Sequence, residues 1–306
     1  MPAYDAVARW IRRELAANPP RARSLVVTVW GDTLAPHGGD VWLSTLIRLL
    51  APFGVNERLV RTSVFRLAND GWIEGQARGR RTRYRLTAEG ARRFSLAYRR
   101  VYTPPHRPWD GTWEVAVLPA AGSSPAGRVR LRDELAWNGY GALAHNLFAR
   151  PSRPPGDGHD AGIAWPAQSL RFSARDVDGS DGESLAARVD AAWSLQALAI
   201  EYRGFLGRFR PLARAFDAAT PPSPEQAFVV RTLLVHGYRR ARLRDPQLPP
   251  ELLFPDWPGA AAYALCRDLY LAAESLTRAH LAAALRADGD ALLPALPEFL
   301  LRFEQP

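Results

Sequence analysis

The spacing of apolar residues changes abruptly in the first third of this chain, and the change marks two adjoining elements. Between Asn56 and Gly71 the apolar positions Val60, Val64 and Leu67 recur one helical turn apart. Asn56 is a favoured N-cap, Glu57 suits the positive end of the helix dipole, and Gly71 is a natural C-terminal stop. At about 100° per residue, Arg58, Thr62, Phe65 and Asn69 fall opposite the apolar stripe, with Arg61 and Arg66 on its flanks. Directly afterwards the period drops to two, with Tyr84 and Leu86 pointing one way and Arg83 and Arg85 the other. Residues 72–76 and 82–86 are therefore the expected arms of a hairpin that turns at Gly79, with Arg78, Arg80 and Arg81 at its tip.

The same reading extends along the chain. Residues 4–16 form an amphipathic helix with Tyr4, Val7, Ile11 and Leu15 on one side, read as packing or dimerisation material. Residues 24–30 (SLVVTVW) are strand formers by propensity, yet beside a capped helix and hairpin they are expected as a buried helix, since tertiary context overrides weak preferences. Residues 42–50 are a compact helix stopped by Ala51-Pro52, and Gly54 turns the chain into the next helix. Thr87 caps a helix over 88–101, and closely spaced prolines at 104, 105 and 108 form a stiff linker. A strand at 113–118, a helix at 128–137 and strands at 143–150 and 170–177 give a β-α-β-β order, that of a small ferredoxin-like sandwich. Helices follow at 185–216, 225–242 and 260–286, the last with Ala262, Cys266, Leu269, Ala273, Leu276 and His280 on one face; Cys266 and His280 read there as core or edge residues.

The expected architecture is thus α+β and multidomain: an N-terminal amphipathic helix (1–20), a winged helix-turn-helix domain (21–103), a central ferredoxin-like domain (104–183) and a helical C-terminal domain (184–306). At 306 residues the chain exceeds one ordinary core.

Charge sharpens this picture. Residues 1–103 hold 18 Arg against 8 Asp or Glu, and residues 104–306 hold 22 against 23, so the whole net charge of +9 originates in the first third. A polyanion-binding module joined to a near-neutral body has this asymmetry. A helix followed by a basic hairpin is the arrangement that sets a helix in the DNA major groove and a wing along the backbone. Arg58, Arg61, Thr62 and Arg66 are the expected base and flanking phosphate contacts, and Arg78, Arg80, Arg81 and Arg83 the expected backbone contacts.

Other chemistry is thin. The chain contains no Lys, which excludes P-loop, Schiff-base and general-base lysines. Its single cysteine, Cys266, excludes an internal disulfide and a multi-thiolate zinc site. Neither a Gly-x-Ser-x-Gly elbow nor a zinc-protease histidine spacing occurs. His37 and Asp40 flank two glycines and read as a structural loop, and the acidic run at 176–183 lacks calcium-loop spacing and reads as a surface turn. No cofactor, metal or catalytic residue is expected. With no apolar run near the ~18 residues of a membrane span and a charged N-terminus, no membrane partner and a cytoplasmic location are expected.

The segments SLVVTVWGDTLAPHGG (24–39), WLSTLIRLLAPFGVNERLVRTSVFRL (42–67), Gly71-Trp72, 79–87, Trp109-Asp110-Gly111, VHGYRR (235–240), DPQLPPELL (245–253) and DWPG (256–259) resemble the PaaX family, repressors of bacterial phenylacetate catabolism. The resemblance implies a winged helix-turn-helix, a central domain similar to a small CRISPR-associated nuclease fold, and a helical C-terminal domain. It also implies a homodimer on a double-stranded operator, released by an aryl-acetyl-coenzyme A such as phenylacetyl-CoA. That nuclease family carries an Asp at the end of its first strand, where this chain reads Val115-Ala116-Val117-Leu118-Pro119, so the middle domain is expected to be a scaffold. For the acyl-CoA, His236, Tyr238, Arg239, Arg240, Arg242 and Trp257 offer cations and an apolar slot; their other reading is that they tie the helical domain together. Two rivals remain at this point: a regulator of the same fold answering a different metabolite, and a metal-dependent nucleic-acid-processing enzyme.

Overall fold

The computed structural model of the protein describes residues 3–105, 109–119, 124–152, 163–175, 182–216, 221–299 and 302–303. It combines helices with two small antiparallel sheets and has two compact units, each discontinuous in sequence. The first gathers residues 1–104, 205–240 and 261–306, the second residues 105–204 and 241–260.

In the first unit, α1 (Ala3–Ala17) buries Val7, Trp10 and Glu14, while Ile11 and Leu15 are half-buried. The buried stripe is rotated from the expected one because Trp10 Nε1 donates to the Arg208 carbonyl (3.0 Å) and Arg208 pairs with Glu14 (3.1 Å). The β-branched run is helical: α2 (Ala22–Thr28) leads into a π-helical turn, Val29–Leu34. Leu25, Val26, Val29 and Trp30 are all buried, a clustering that a helix face provides and an alternating strand does not. Trp42, expected in the next helix, belongs instead to β1 (Val41–Trp42), and α3 spans Leu43–Leu50.

Helix α4 (Glu57–Asn69) begins as its sequence dictates, the Asn56 side chain accepting from Leu59 N at 3.0 Å, and buries Val60, Val64 and Leu67. It ends where Gly71 takes a φ of 73° and Trp72 N donates back to the Leu67 carbonyl at 3.0 Å. The hairpin follows as β2 (Ile73–Arg78) and β3 (Arg81–Leu86), with Arg78 opposite Arg81 and Gly79 at φ 61° in the turn. Strand β1 adds to β3, giving the order β1-β3-β2. Thr87 then caps α5 (Ala88–Tyr102) by accepting from Gly90 N at 2.9 Å.

The second unit is built on a four-stranded sheet. Its elements are β4 (Thr112–Val117), α6 (Pro125–Trp137), β5 (Gly141–Ala144), β6 (Leu147–Pro151) and β7 (Leu170–Arg175), and the strand order is β5-β6-β4-β7, all antiparallel. The single strand expected at 143–150 is thus a hairpin, because His145-Asn146 turn the chain. The sheet uses both faces. Trp113 and Ala149 pack with Val189, Leu195 and Leu248, whereas Ala116 and Phe148 pack with Leu135 and Tyr140. The acidic run at 176–181 and linker residues 106–108 lie outside the described residues.

The expected helix over 185–216 is broken. Ser194 adopts a φ of 53° between α7 (Gly182–Trp193) and α8 (Leu195–Phe209), and Pro211 lies in a 3-10 turn before α9 (Ala213–Phe216). The last two helices, α10 (Pro224–Arg242) and α11 (Gly259–Arg286), begin and end within a residue of expectation. Cys266 is fully buried on α11, which pushes its thiol pKa up, and His280 stacks on Phe228 at 4.9 Å.

A buried carboxylate organises the first unit. Asp32, from the π-helical turn, accepts from Tyr102 of α5, Tyr270 of α11 (3.1 Å), Arg231 of α10 (3.2 Å) and Arg302 of the C-terminal segment (3.3 Å). Arg231 also reaches Glu274, which is partly exposed. Removing one member of a buried ion pair strands the others. Asp32→Asn is therefore expected to lower stability by about 3–5 kcal/mol in urea unfolding, and Glu274→Gln by about 1 kcal/mol or less. Equal losses would show that Asp32 is not the organising charge.

Candidate nucleic-acid interface

Arg58, Arg61, Thr62 and Arg66 all project from α4 into solvent. The helix under them is fixed by its N-cap, by its buried stripe and by an ion pair from Arg23 of α2 to Asp70 at its C-terminus. Arg61 rests against Glu57 at 2.6 Å one turn back, and the Thr62 hydroxyl donates to the Arg58 carbonyl at 2.9 Å. Phe65 is 63% exposed, and Leu59 on the same helix is 47% exposed. An apolar ring among exposed arginines is chemically suited to a base edge or methyl group.

The hairpin arginines divide into two sets. Arg78 and Arg80 are exposed at the turn. Arg81 and Arg83 are already engaged within the first unit. Arg81 meets Asp288 at 2.8 Å, and its guanidinium lies over the Trp42 ring at 4.1 Å. Arg83 meets Asp40 at 2.7 Å and Asp290 at 2.9 Å, also beside Trp42. Arg48 of α3 joins them, 3.1 Å from Asp288. Partial burial works against the Asp288 carboxylate, yet hydrogen bonds from Thr45 and Ser44 and the Arg48 charge hold its pKa below the usual value. Of the eight predicted contact residues, six form an open face and two are neutralised by an acidic turn at 288–290. Sequence reasoning missed that turn, as well as Trp42 and Arg48.

The remaining candidates also have defined surroundings. His37 Nδ1 donates to the Leu293 carbonyl (2.6 Å) and Asp40 holds Arg83, so both flanks of the double-glycine loop are used structurally. Among the described residues no group of three or more His, Cys, Asp or Glu is placed to hold a metal. Of the six acyl-CoA candidates, His236, Tyr238, Arg239 and Arg240 lie in the first unit and Arg242 and Trp257 in the second. His236 Nδ1 lies 2.8 Å from Thr28 Oγ1, and Arg239 donates to the Ser24 carbonyl (2.9 Å) and hydroxyl (2.7 Å), so both join α10 to α2. Tyr238 is buried against Phe205, and Arg240 is exposed. In the second unit, Arg242 is buried 3.5 Å from Asp245, and Trp257 packs edge-on to Tyr202 and Phe254. No described helix is long and apolar enough to cross a membrane.

Known proteins place the chain in one family. One family model, a PaaX-like protein, matches residues 21–90; a second, the PaaX protein central Cas2-like domain, matches 106–155; a third, the PaaX-like protein C-terminal domain, matches 193–283. The Transcriptional repressor PaaX of Escherichia coli (strain K12) is 36% identical over 266 residues, covering 85% of this chain and 83% of that protein. The chain belongs to the PaaX family. Among solved structures, the uncharacterized protein Rv0674 from Mycobacterium tuberculosis superposes with a TM-score of 0.55 at 28% identity, covering 84% of this chain and 97% of that one.

His236 carries a pH consequence. Burial, and then the nearby charges of Arg239, Arg240 and Arg208, depress its pKa to about 3 from 6.5. Below pH 6.5 the unfolded chain takes up a proton that the folded chain refuses, so stability is present above that pH and is lost as pH falls. The loss is expected to reach about 2 kcal/mol at pH 5 relative to pH 7. Unfolding curves of wild type and His236→Gln at both pH values check this, and the same decrement in the two proteins would refute it.

Proposed function

We propose that this protein is a cytoplasmic, DNA-binding transcriptional repressor of phenylacetate (aryl-acetate) catabolism genes and that it is not an enzyme. Residues 21–103 act in it as a winged helix-turn-helix, with α4 in the major groove and the β2–β3 hairpin as the wing. A homodimer places two such units on a near-palindromic operator, and an aryl-acetyl-CoA such as phenylacetyl-CoA releases it. The observation that carries this reading is the row of exposed side chains on α4 (Arg58, Arg61, Thr62 and Arg66) beside the exposed Arg78 and Arg80 of the hairpin. Guanidinium groups pair bidentately with guanine and with phosphate, so one residue type serves both tasks. The family membership and the repressor among its relatives support the same conclusion.

The middle domain acts as a scaffold in this reading. Its strand order supports a ferredoxin-like sandwich, and the one carboxylate on β4, Glu114, is held by the buried Arg150 at 2.8 Å. Arg150 also donates to the Asn138 carbonyl at 3.0 Å, so the pair braces the sheet against the end of α6.

Fluorescence anisotropy with a duplex from a phenylacetate-catabolism promoter, beside a random duplex, tests the proposal. Arg58→Ala is expected to cost about 1–3 kcal/mol on the promoter duplex and little on random DNA. Arg78→Ala with Arg80→Ala is expected to weaken both duplexes alike and to flatten the logarithmic salt dependence by about one per arginine. Failure of the wild type to bind the promoter duplex at low ionic strength, or cleavage of that duplex in the presence of Mg²⁺ or Mn²⁺, would overturn the reading.

A further inference from the structure

The first unit contains a cavity of about 640 Å³, within the range of small-molecule sites. It opens between α11, the turn ahead of β1 and the extended segment that follows the acidic turn. Its apolar wall comes from Pro36, Leu281, Leu292, Leu293 and Phe299. Its polar wall includes Arg231, Arg302 and, exposed at the rim, Arg278. Glu274 and the buried Asp32 offset two of these three charges, leaving one positive charge in excess.

Three residues of the wall carry a buried polar atom with no hydrogen-bond partner among the described residues: the Thr33 hydroxyl, the Thr277 hydroxyl and Arg302 Nε. Each of these residues is more than nine-tenths buried. Buried donors without acceptors are costly, and a protein keeps few of them. All three residues belong to the wall of this one cavity, and an acceptor oxygen seated against that wall would complement them.

The cavity is also joined to the wing. Leu292, Leu293, Pro294 and Ala295 line it, and they directly follow Asp288 and Asp290, which hold Arg48, Arg81 and Arg83. This strap is pinned at two points: His37 donates to the Leu293 carbonyl, and Leu296 N donates to the Pro36 carbonyl at 2.8 Å. One short run of chain thus forms a cavity wall at one end and caps the wing arginines at the other.

We propose that this cavity binds a small apolar acyl group presenting an acceptor oxygen, either as a free carboxylate or as its thioester, and that an occupied cavity fixes the strap where Asp288 and Asp290 neutralise the wing. Both halves rest on the proposed function: the binding half takes its acyl group from the effector named there, and the regulatory half takes its readout from the repressor role. A ligand that packs on the strap prefers the capped state, and only such a preference shifts the balance away from DNA. The seat differs from the earlier acyl-CoA candidates, of which His236, Arg239 and Arg242 contact Thr28, Ser24 and Asp245.

Isothermal titration of the full chain with phenylacetate, phenylacetyl-CoA and CoA alone tests the site and separates the two sources of the acyl group. One of the first two is expected to bind, and CoA alone is not. Ala295 of the strap and Leu271 of α11 both line the cavity, and Ala295→Trp and Leu271→Trp are each expected to weaken binding at least about tenfold, the scale of removing a well-filled apolar contact. The Arg239→Ala, Arg240→Ala double variant is expected to bind as wild type does. No binding by phenylacetate or phenylacetyl-CoA, CoA alone binding as well as the thioester, or wild-type affinity in a filled variant that melts like the wild type would each overturn the site.

For the regulatory half, the ligand is expected to lower promoter affinity about tenfold in the wild type, a usual size for allosteric coupling. In the Asp288→Asn, Asp290→Asn double variant the ligand is expected to bind unchanged and to leave promoter affinity unaltered. Coupling that persists in that variant overturns the strap mechanism. Promoter affinity measured without ligand reports on the repressor reading separately, so its failure leaves the calorimetric result standing.

Discussion

The first unit depends on satisfying the charge of Asp32 away from water. A carboxylate at 4% exposure is tolerable only with several donors around it, and those donors come from four places in the sequence: Tyr102, Arg231, Tyr270 and Arg302. Satisfying it therefore fixes α5, α10, α11 and the C-terminal segment against the turn that carries Asp32. Arg302 adds ring contacts to Tyr98, Tyr102 and Tyr270 at 5.3–5.6 Å, so the last described residues are anchored although they form no long helix. The strap at 292–296 is held between this anchor and the acidic turn, and that is why residues so far from the hairpin can reach it at all.

The charge distribution along the sequence acquires a different meaning once the acidic turn is located. The first 103 residues carry the whole positive excess, but part of it is met within the same unit by Asp288 and Asp290. The α4 face and the tip of the hairpin are among the positive surface left open. Arg78 and Arg81 stand directly opposite each other in the hairpin register, a like-charge pairing that is unfavourable unless a counter-charge lies close. Asp288 supplies it on one side. On the other, Arg78 has a 3.3 Å contact to the neutral Gln76 side chain, and no counter-charge is seen among the described residues.

Elements governed by local rules were legible from sequence. The Asn56 and Thr87 caps, the Gly71 stop and the Gly79 turn each depend on the chemistry of a few neighbouring residues, and each occurs where the sequence puts it. Elements governed by remote partners were not. The orientation of α1 follows from an indole bond to a carbonyl 198 residues away, and the break at Ser194 falls within an apolar pattern that reads as continuous helix. The strand at 143–150 was misread because its apolar alternation runs on through a two-residue turn that lacks glycine or proline. The α4 face was visible as a helical period. The capping of Arg81 and Arg83 was not, since the partners lie 207 residues on and nothing in an Asp-Gly-Asp turn announces its target.

That hidden pairing places a constraint on any anion that approaches the hairpin. Carboxylate and phosphate offer a guanidinium the same planar, two-oxygen geometry, so Asp288 and Asp290 compete with an incoming anion for the same donors. The internal partner has the advantage of proximity, because it is tethered and pays no association entropy. An external polyanion prevails only by summing contacts over a wider surface, which here means engaging α4 and the hairpin tip together with Arg81 and Arg83. A polyanion gripping the tip alone would leave the acidic turn in place, whereas one that lies along the whole hairpin must displace it. The position of the acidic turn thus sets how much of the basic surface a polyanion has to cover before Arg81 and Arg83 can exchange partners.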